Sequence, residues 1–343
     1  MSRLERFWAG SWIRIKPARG NKLTTTDLPW LAAHKTQLRA AFAAGHLAHA
    51  LLIHESRGSG GDILASWLAC LVLCTHPSEA PCGSCLGCRR AASAQHPDLI
   101  TLGFLEESRQ IRIEQVRELA SALAFTSHQG GYKVAILSPA DALNRNAANA
   151  LLKTLEEPTP RTILILVATQ PSRLPATLLS RCQRVHIRAP SRAEAIAWLQ
   201  AVRGPNDWNS VLDTLGDAPL LAAEVDAKVV IELATETWRV LEETRSGRAD
   251  PVVTAERWGR HELALRLVCI ENWLTDRIRR YFAASGFSVE MSAGSHLHRG
   301  PGMPSIRKLF GLVDAVEELK ASLDAPLNRV LALENLLRRL TPS

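Results

Sequence analysis

Long apolar runs are missing from this chain of 343 residues. No stretch approaches the ~18 to 20 consecutive apolar residues that a transmembrane helix needs, which excludes a membrane-spanning protein and predicts a soluble one. A secretory signal is also absent from the start of the chain, and the seven cysteines are an odd number. Both observations disfavour a framework of disulfides and predict a protein of the reducing cytoplasm.

The excess of positive over negative charge is small over most of the chain, although the formal net charge is +7. Residues 1–26 hold six basic side chains against the single acid Glu5, so the remainder carries only +2. Overall basicity is therefore poor evidence for nucleic-acid binding, and any such surface must be local. We predict a disordered basic arm or a misplaced start over residues 1–27, the alternative being an amphipathic segment with Trp8 and Trp12. The six basic residues are Arg3, Arg6, Arg14, Lys16, Arg19 and Lys22.

Short apolar runs alternate with helical patterns as far as about residue 190. Buried strands joined by helical crossovers predict a parallel α/β sheet that is covered on both faces. The helix predicted over 141–157 carries apolar residues at four-residue spacing, is expected to be capped by Asp141 and stops before Pro158. The predicted strands are 50–54, 99–102, 134–138, 163–168 and 185–188, and the other predicted helices lie around 62–74 and 112–125.

Beyond residue 190 the pattern is helical, and a chain of this length is expected to form two or three domains. We place the sheet domain at 28–189, a small helical domain at 190–230 and a larger all-helical domain at 231–343. The last contains an apolar stripe formed by Leu263, Leu267, Ile270 and Leu274. Residues 285–304 are rich in Gly, Ser and Pro, which predicts a mobile loop.

Four cysteines lie close together in the sequence with the spacing C-x7-C-x2-C-x2-C. Few apolar residues surround them, so burial in a core does not explain them, whereas two short turns that share the central cysteine can present thiolates to one tetrahedral ion. We therefore predict one structural zinc ion per chain, with disulfides or free thiols as the weaker alternatives. The predicted ligands are Cys74, Cys82, Cys85 and Cys88. Cys70 and Cys269 lie in apolar helical runs and are predicted to be core residues.

A glycine-rich turn follows the first predicted strand and resembles a phosphate-binding loop of the form G-x-x-x-x-G-K-[ST]. Aligned on Gly60, the turn places Glu55 at the first glycine, Gly61 at the lysine and Asp62 at the hydroxyl. Gly58 adds to its glycine content. Two acids would then face a polyanion without a cation, so the loop is predicted to be degenerate. The simpler interpretation is a tight turn between a strand and a helix.

The strand predicted over 134–138 also lacks the acidic pair with which P-loop ATPases bind Mg²⁺ and polarise water. Ser138 and Pro139 stand in these positions. A serine is a weak Mg²⁺ ligand and a proline performs no base chemistry. Both halves of a catalytic nucleotide site are therefore degraded, and we predict no ATP hydrolysis by this chain.

The segment AANALLKTLEEP at 147–158 and the tripeptide SRC at 180–182 resemble the clamp-loader branch of the AAA+ family, and both motifs are specific to it. The resemblance covers about residues 28–230. It implies a P-loop NTPase-like (AAA+/RecA-like) domain, a helical lid and a helical collar that assembles a ring. The implied partners are the delta subunit and the gamma or tau ATPases of DNA polymerase III, with the sliding clamp and primed DNA reached through the complex.

The resemblance also assigns roles to single residues. Ser180, Arg181 and Cys182 match the SRC motif, whose arginine reaches toward ATP held by the neighbouring subunit. Thr169 matches the sensor-1 position, and the four cysteines match the family's zinc module. A second-sensor arginine has no counterpart, because the segment 216–224 contains none.

Each role has a simpler alternative. Arg181 follows a predicted short helix and can compensate its C-terminal dipole, Cys182 can be a packed core residue, and Thr169 can satisfy a backbone group. Arg145 and Lys153 can line a DNA channel, although a solvated face is the simpler interpretation.

Two other functions remain open from the residues: an active AAA+ ATPase subunit, and a module that binds nucleic acid through the four-cysteine knuckle. The missing lysine and acidic pair disfavour the first. The second has little support because Arg89 and Arg90 are almost the only basic residues near the knuckle.

Overall fold

The computed structural model of the protein describes residues 28–103, 110–128, 130–284, 306–321, 323 and 328–341. The predicted arm at 1–27 and the predicted loop at 285–304 lie outside the described residues. The chain divides into two compact units, and among the described residues one comprises 28–205 and 217–223 while the other comprises 206–216 and the chain from 224 onward. No helix in the described part of the chain is both long and apolar enough to cross a membrane.

A five-stranded parallel sheet forms the centre of the first unit, in the order β2-β3-β4-β1-β5. β1, β3 and β4 are almost entirely buried, as their continuous apolar runs predict. All five predicted strands are confirmed, with ends that differ from the prediction by at most two residues. The strands are β1 (Ala50–Glu55), β2 (Leu99–Leu102), β3 (Lys133–Leu137), β4 (Thr162–Ala168) and β5 (Gln183–Ile187).

Helices connect the strands and cover the sheet, which confirms the predicted α/β class. They are α1 (Ala32–Ala43), α2 (Gly61–Val72), α3 (Leu86–Ala92), α4 (Ile113–Ala124), α5 (Arg145–Glu156), α6 (Ala176–Leu179), α7 (Arg192–Arg203) and α9 (Pro219–Glu224), with α8 (Trp208–Leu215) belonging to the second unit. The capping box of Ser191 and Glu194 starts α7.

The predicted N-cap of α5 is wrong. The helix begins at Arg145, and the Asn144 side chain accepts a hydrogen bond from the backbone N–H of Ala147 at 2.8 Å. Asp141 instead lies in a 3₁₀ turn, and its carboxylate accepts from the next loop. The apolar stripe of α5 is buried in a hydrophobic core of the sheet unit, as predicted.

The second unit is helical, as predicted. A separate hydrophobic core there buries all four residues of the predicted stripe, Leu263, Leu267, Ile270 and Leu274. Its further helices are α10 (Ala227–Arg245), α11 (Pro251–Arg260), α12 (Leu263–Ala284), α13 (Ile306–Ala321) and α14 (Arg329–Arg338). The predicted domain boundaries at 189 and 230 stay predictions.

Candidate metal centre and degenerate nucleotide site

The four predicted metal ligands meet in space. The Sγ atoms of Cys74, Cys82, Cys85 and Cys88 all lie within 4.8 Å of one another. Cys74 Sγ is 3.6 Å from Cys82 Sγ and 3.9 Å from Cys85 Sγ. A tetrahedral ion with zinc–sulfur bonds of about 2.3 Å requires sulfur atoms about 3.8 Å apart. The cluster therefore fits a four-thiolate metal ion.

The loop backbone positions these sulfur atoms. Cys85 is the N-cap of α3, and its Sγ accepts a hydrogen bond from the N–H of Cys88 at 3.3 Å. In the same way Cys82 Sγ accepts from the N–H of Cys85 at 3.4 Å. Gly87 lies between two ligands, and a Cβ atom built there would stand 2.3 Å from the carbonyl oxygen of Leu73. The knuckle therefore requires glycine at this position to lie against the end of α2.

The electrostatic environment favours thiolates at two of the ligands. Hydrogen bonds from the backbone of Cys85 and from Ser84 lower the pKa of Cys82 to about 7. Burial raises the pKa of Cys85, but hydrogen bonds from Thr75 and from the backbone of Cys88 outweigh it and lower the pKa to about 4. Deprotonated sulfur is the form that binds metal.

The remaining three cysteines are not among the four ligands, although Cys70 contacts one of them, with its Sγ 3.8 Å from the carbonyl oxygen of Cys88. Cys269 and Cys182 are buried and Cys70 is half-buried. Burial raises the pKa of Cys182 to about 11, which is the behaviour of an inert core thiol. The core interpretation of Cys182 and Cys269 is therefore supported.

The glycine-rich turn connects β1 to α2, where a phosphate-binding loop would lie. The Glu55 side chain at the end of β1 folds into this turn, and Glu55 Oε2 accepts a hydrogen bond from the N–H of Gly61 at 2.6 Å. The backbone of Gly60 and Ser59 also lowers the pKa of this carboxyl group, although the Ser59 N–H donates to the carbonyl oxygen of Ser56 at 3.0 Å. The turn therefore directs the N–H of Gly61 at a carboxyl group of its own chain.

Glu55 is buried, with 3% of its surface exposed. Burial, and then the charge of Asp62, raise the pKa of Glu55 to about 7 against the lowering effect of the backbone hydrogen bonds. The same cause, burial, raises the pKa of Asp62, and a hydrogen bond from Ser138 opposes it. No lysine or arginine of the described residues contributes to either shift.

The two positions that hold Mg²⁺ in an active site bind each other here. Ser138 Oγ, at the end of β3, donates a hydrogen bond to Asp62 Oδ1 in the first turn of α2 at 2.5 Å. Parallel strands end at one edge of a sheet, which explains how residues 76 positions apart meet. The arrangement closes the space between the two degraded motifs.

Thr169 lies at the end of β4 on the same edge. Its hydroxyl donates to Asp141 Oδ2 at 3.1 Å, and the N–H of Gln170 donates to the same oxygen at 2.9 Å. The Thr169 hydroxyl therefore bonds to a side chain, whereas the simpler interpretation of the sequence expects it to bond to a backbone group. The sequence predicts Asp141 only as a helix cap and does not indicate its contacts with the loop after β4.

The SRC segment follows the short helix α6. The Arg181 guanidinium donates to the carbonyl oxygen of Thr177 at 2.8 Å and forms a salt bridge with Glu156 at 2.5 Å. Its side chain is 36% exposed. The Arg181 guanidinium therefore contacts the carbonyl oxygen of a residue of α6 and the carboxylate of Glu156, and both contacts lie at the surface, where they are weak. Arg145 and Lys153 are exposed on α5.

The chain is similar in sequence to subunits of DNA polymerase III. A family model described as "DNA polymerase III, delta subunit" matches residues 31–191. The delta' subunit of DNA polymerase III from Pseudomonas aeruginosa is 34% identical over 329 residues, covering 90% of this chain and 95% of its own. The delta' subunit from Escherichia coli is 30% identical, covering 91% and 94%.

A third relative is similar over a shorter part of the chain. The tau subunit of DNA polymerase III from Escherichia coli is 34% identical over 155 residues, which are 45% of this chain and 24% of tau. The delta' relatives instead match almost from end to end. This chain belongs to the family of DNA polymerase III delta' subunits.

Proposed function

We propose that this chain is a clamp-loader subunit of DNA polymerase III that hydrolyses no ATP itself and supplies Arg181 to ATP held by a neighbouring subunit. The absence of ATP hydrolysis is supported most directly by the position of the Glu55 carboxyl group, which lies inside the turn that resembles a phosphate-binding loop. Asp62 and Ser138 add to it, because they bond to each other where a metal ion would bind. Purified alone, the chain is expected to hydrolyse no ATP above a matched blank.

The proposed partners are delta and the gamma or tau ATPases, with the sliding clamp and primed DNA reached through the complex in the bacterial cytoplasm. End-to-end similarity to delta' subunits supports this assignment. Co-purification with these proteins, followed by size exclusion with mass detection, tests it. A chain that remains monomeric in their presence would contradict the proposal.

The proposed role of Arg181 rests on charge and exposure. During phosphoryl transfer a guanidinium inserted from a neighbour stabilises charge on the γ-phosphate, an effect of about 10³ to 10⁵ in rate for a complete finger. Arg181 is partly exposed and is held by two surface contacts, so a partner's phosphate can compete for it. Lysine cannot present the same planar fork.

Two variants separate this role from a helix-end role. Arg181→Ala is expected to leave folding and assembly intact while lowering clamp- and DNA-stimulated ATP hydrolysis, and Arg181→Lys is expected to restore little. Glu156→Gln removes the same salt bridge but keeps the arginine, so the complex is expected to retain its activity. If Arg181→Ala loads clamps at the wild-type rate, or if both variants lose activity equally, Arg181 is structural.

The four-cysteine cluster is proposed to hold one structural zinc ion. Its four thiolates leave no open position for a substrate, which favours a structural role. Elemental analysis of protein purified without chelators is expected to give about one zinc per chain. A metal content near zero would contradict this proposal.

A further inference from the structure

The turn between β1 and α2 keeps the donors of an anion site. The backbone groups of Ser59, Gly60 and Gly61 stand at the positions that bind phosphate in a working loop, at the N-terminus of the 12-residue helix α2. The Ser59 hydroxyl is fully buried and has no hydrogen-bond partner in the described structure. A buried donor group without a partner indicates spare binding capacity at the same turn.

One side chain fills this turn. Glu55 Oε2 lies 2.6 Å from the nitrogen of Gly61, a distance typical of a strong, charge-assisted hydrogen bond. A Cβ atom on Gly61 would stand 2.8 Å from Glu55 Cδ and 2.8 Å from Val167 Cγ1. A side chain at this position therefore requires Glu55 or Val167 to move.

We propose that the turn is a latent phosphate-binding site whose built-in occupant is the carboxyl group of Glu55. The carboxyl group receives the Gly61 N–H that would otherwise bind a phosphate, so Glu55 is the residue that excludes phosphate-bearing ligands. This inference rests on the part of the proposed function in which the chain hydrolyses no ATP, and it is separate from whether the chain enters a clamp loader.

The surroundings of the turn define the class of ligand that would enter once Glu55 is removed. A Cβ atom on Gly60 would stand 2.7 Å from Leu28 Cδ1, 3.4 Å from Leu31 Cδ1 and 3.6 Å from Leu220 Cδ1. These apolar side chains lie close to Gly60 and offer no hydrogen bond to a ligand. The ligand that the N–H groups of the turn match is therefore a small anion such as pyrophosphate.

The test compares the wild-type chain with Glu55→Gly and Glu55→Ala, using pyrophosphate as the probe. The backbone amide signals of Gly60 and Gly61 are followed by NMR in the purified, zinc-loaded full chain. Both variants are expected to show saturable shifts at these two amides, with an apparent affinity at least about tenfold above that of wild type. Glu118→Gln, which changes an exposed glutamate on α4, is the control and is expected to behave as wild type.

Three results would overturn the proposal. They are an equal response in wild type, no response in a folded variant, and shifts that avoid Gly60 and Gly61. If neither variant folds, the contact between Glu55 and Gly61 is tested by comparing the wild-type chain with Glu55→Gln. The Gly61 amide signal is then expected to move with pH in wild type and to stay constant in Glu55→Gln, and a wild-type signal that does not move contradicts the contact. Reconstitution of the clamp loader is measured separately, so either proposal can fail alone.

Discussion

At the scale of a single residue, opposing effects act on the pKa of Glu55. Backbone hydrogen bonds from the turn favour its ionised form, while burial and the neighbouring Asp62 favour the protonated form. The second pair of effects is larger, because the pKa rises from 4.5 to about 7. An acid whose pKa is raised in the folded state stabilises the fold at low pH and loses that contribution as the pH rises through the folded pKa.

The first prediction concerns the pH dependence of stability. Between pH 5 and pH 8, Glu55 is expected to lower the free energy of unfolding by up to about 3 kcal/mol, since each pKa unit corresponds to about 1.4 kcal/mol. Glu55→Gln cannot titrate and should lack this decrease. Urea unfolding of both proteins at the two pH values measures the difference. Asp62 is present in both chains, but its charge is coupled to Glu55, so the difference between the two proteins reports the titration of this pair.

The exposed Glu118→Gln is the control for this measurement and is expected to follow wild type at both pH values. If wild type and Glu55→Gln change in parallel with pH, the carboxyl group of Glu55 does not titrate in the range that its burial requires.

At the scale of elements, the short connection between α2 and α3 controls the metal centre. Cys74 follows α2 by two residues, and Cys85 and Cys88 belong to the first turn of α3. α2 and α3 must therefore approach closely for the sulfur atoms to meet. Gly87 permits this approach, because its Cα lies against the carbonyl of Leu73.

Gly87→Ala is therefore expected to separate α2 from α3. A methyl group 2.3 Å from a carbonyl oxygen cannot be accommodated without backbone movement, and such overpacking destabilises by about 1 to 3 kcal/mol. We expect a lower melting temperature and weaker zinc retention in competition with a chelator. Gly131→Ala is the matched control, because a Cβ atom there meets nothing within 4 Å. Equal zinc retention in the two variants would contradict this account of the knuckle.

Substitutions at the start of α5 test whether Asn144 is its N-cap. Asn144→Ala removes the side chain that accepts from the N–H of Ala147 and is expected to lower the free energy of unfolding by about 1 kcal/mol. Asp141→Ala removes an acceptor of the loop after β4, so its effect is expected at Thr169 and Gln170 and not at the helix. Hydrogen exchange of the first turn of α5 distinguishes the two. Faster exchange there in Asp141→Ala alone would restore the original interpretation.

These elements show what the sequence could predict. Strands, the stripe of α5 and the cysteine cluster follow from local patterns, because periodicity and C-x2-C spacing act over a few residues. Aligning the turn on Gly60 marked Glu55, Gly61 and Asp62 as misfits. It did not predict that the Glu55 side chain folds inward or that Ser138 reaches Asp62, since contacts across 76 positions depend on the assembled sheet. The salt bridge of Arg181 with Glu156 was missed for the same reason.

At the scale of the whole molecule, two of the hydrophobic cores formed by the described residues lie in different compact units. One core is formed by residues between Ala50 and Cys182, and the other by residues between Val240 and Leu340. The two sets have no residue in common. The four-cysteine cluster belongs to the unit that contains the sheet. The stability supplied by a metal ion is therefore expected to be local to that unit.

Removing the metal tests this expectation across the chain. A structural zinc ion contributes about 10 kcal/mol or more to isolated zinc-finger peptides, and less is expected where a large core remains. Chelation should expose the amides of α2 and α3 to hydrogen exchange while those of α10, α11 and α12 keep their protection. Mass spectrometry of peptides from both units measures this directly. Cys85→Ser lacks the central ligand, so the chelator should change nothing further in that variant. Equal loss of protection in both units would mean that the two cores unfold together, and no loss in either would mean that the cysteines hold no metal that stabilises the fold.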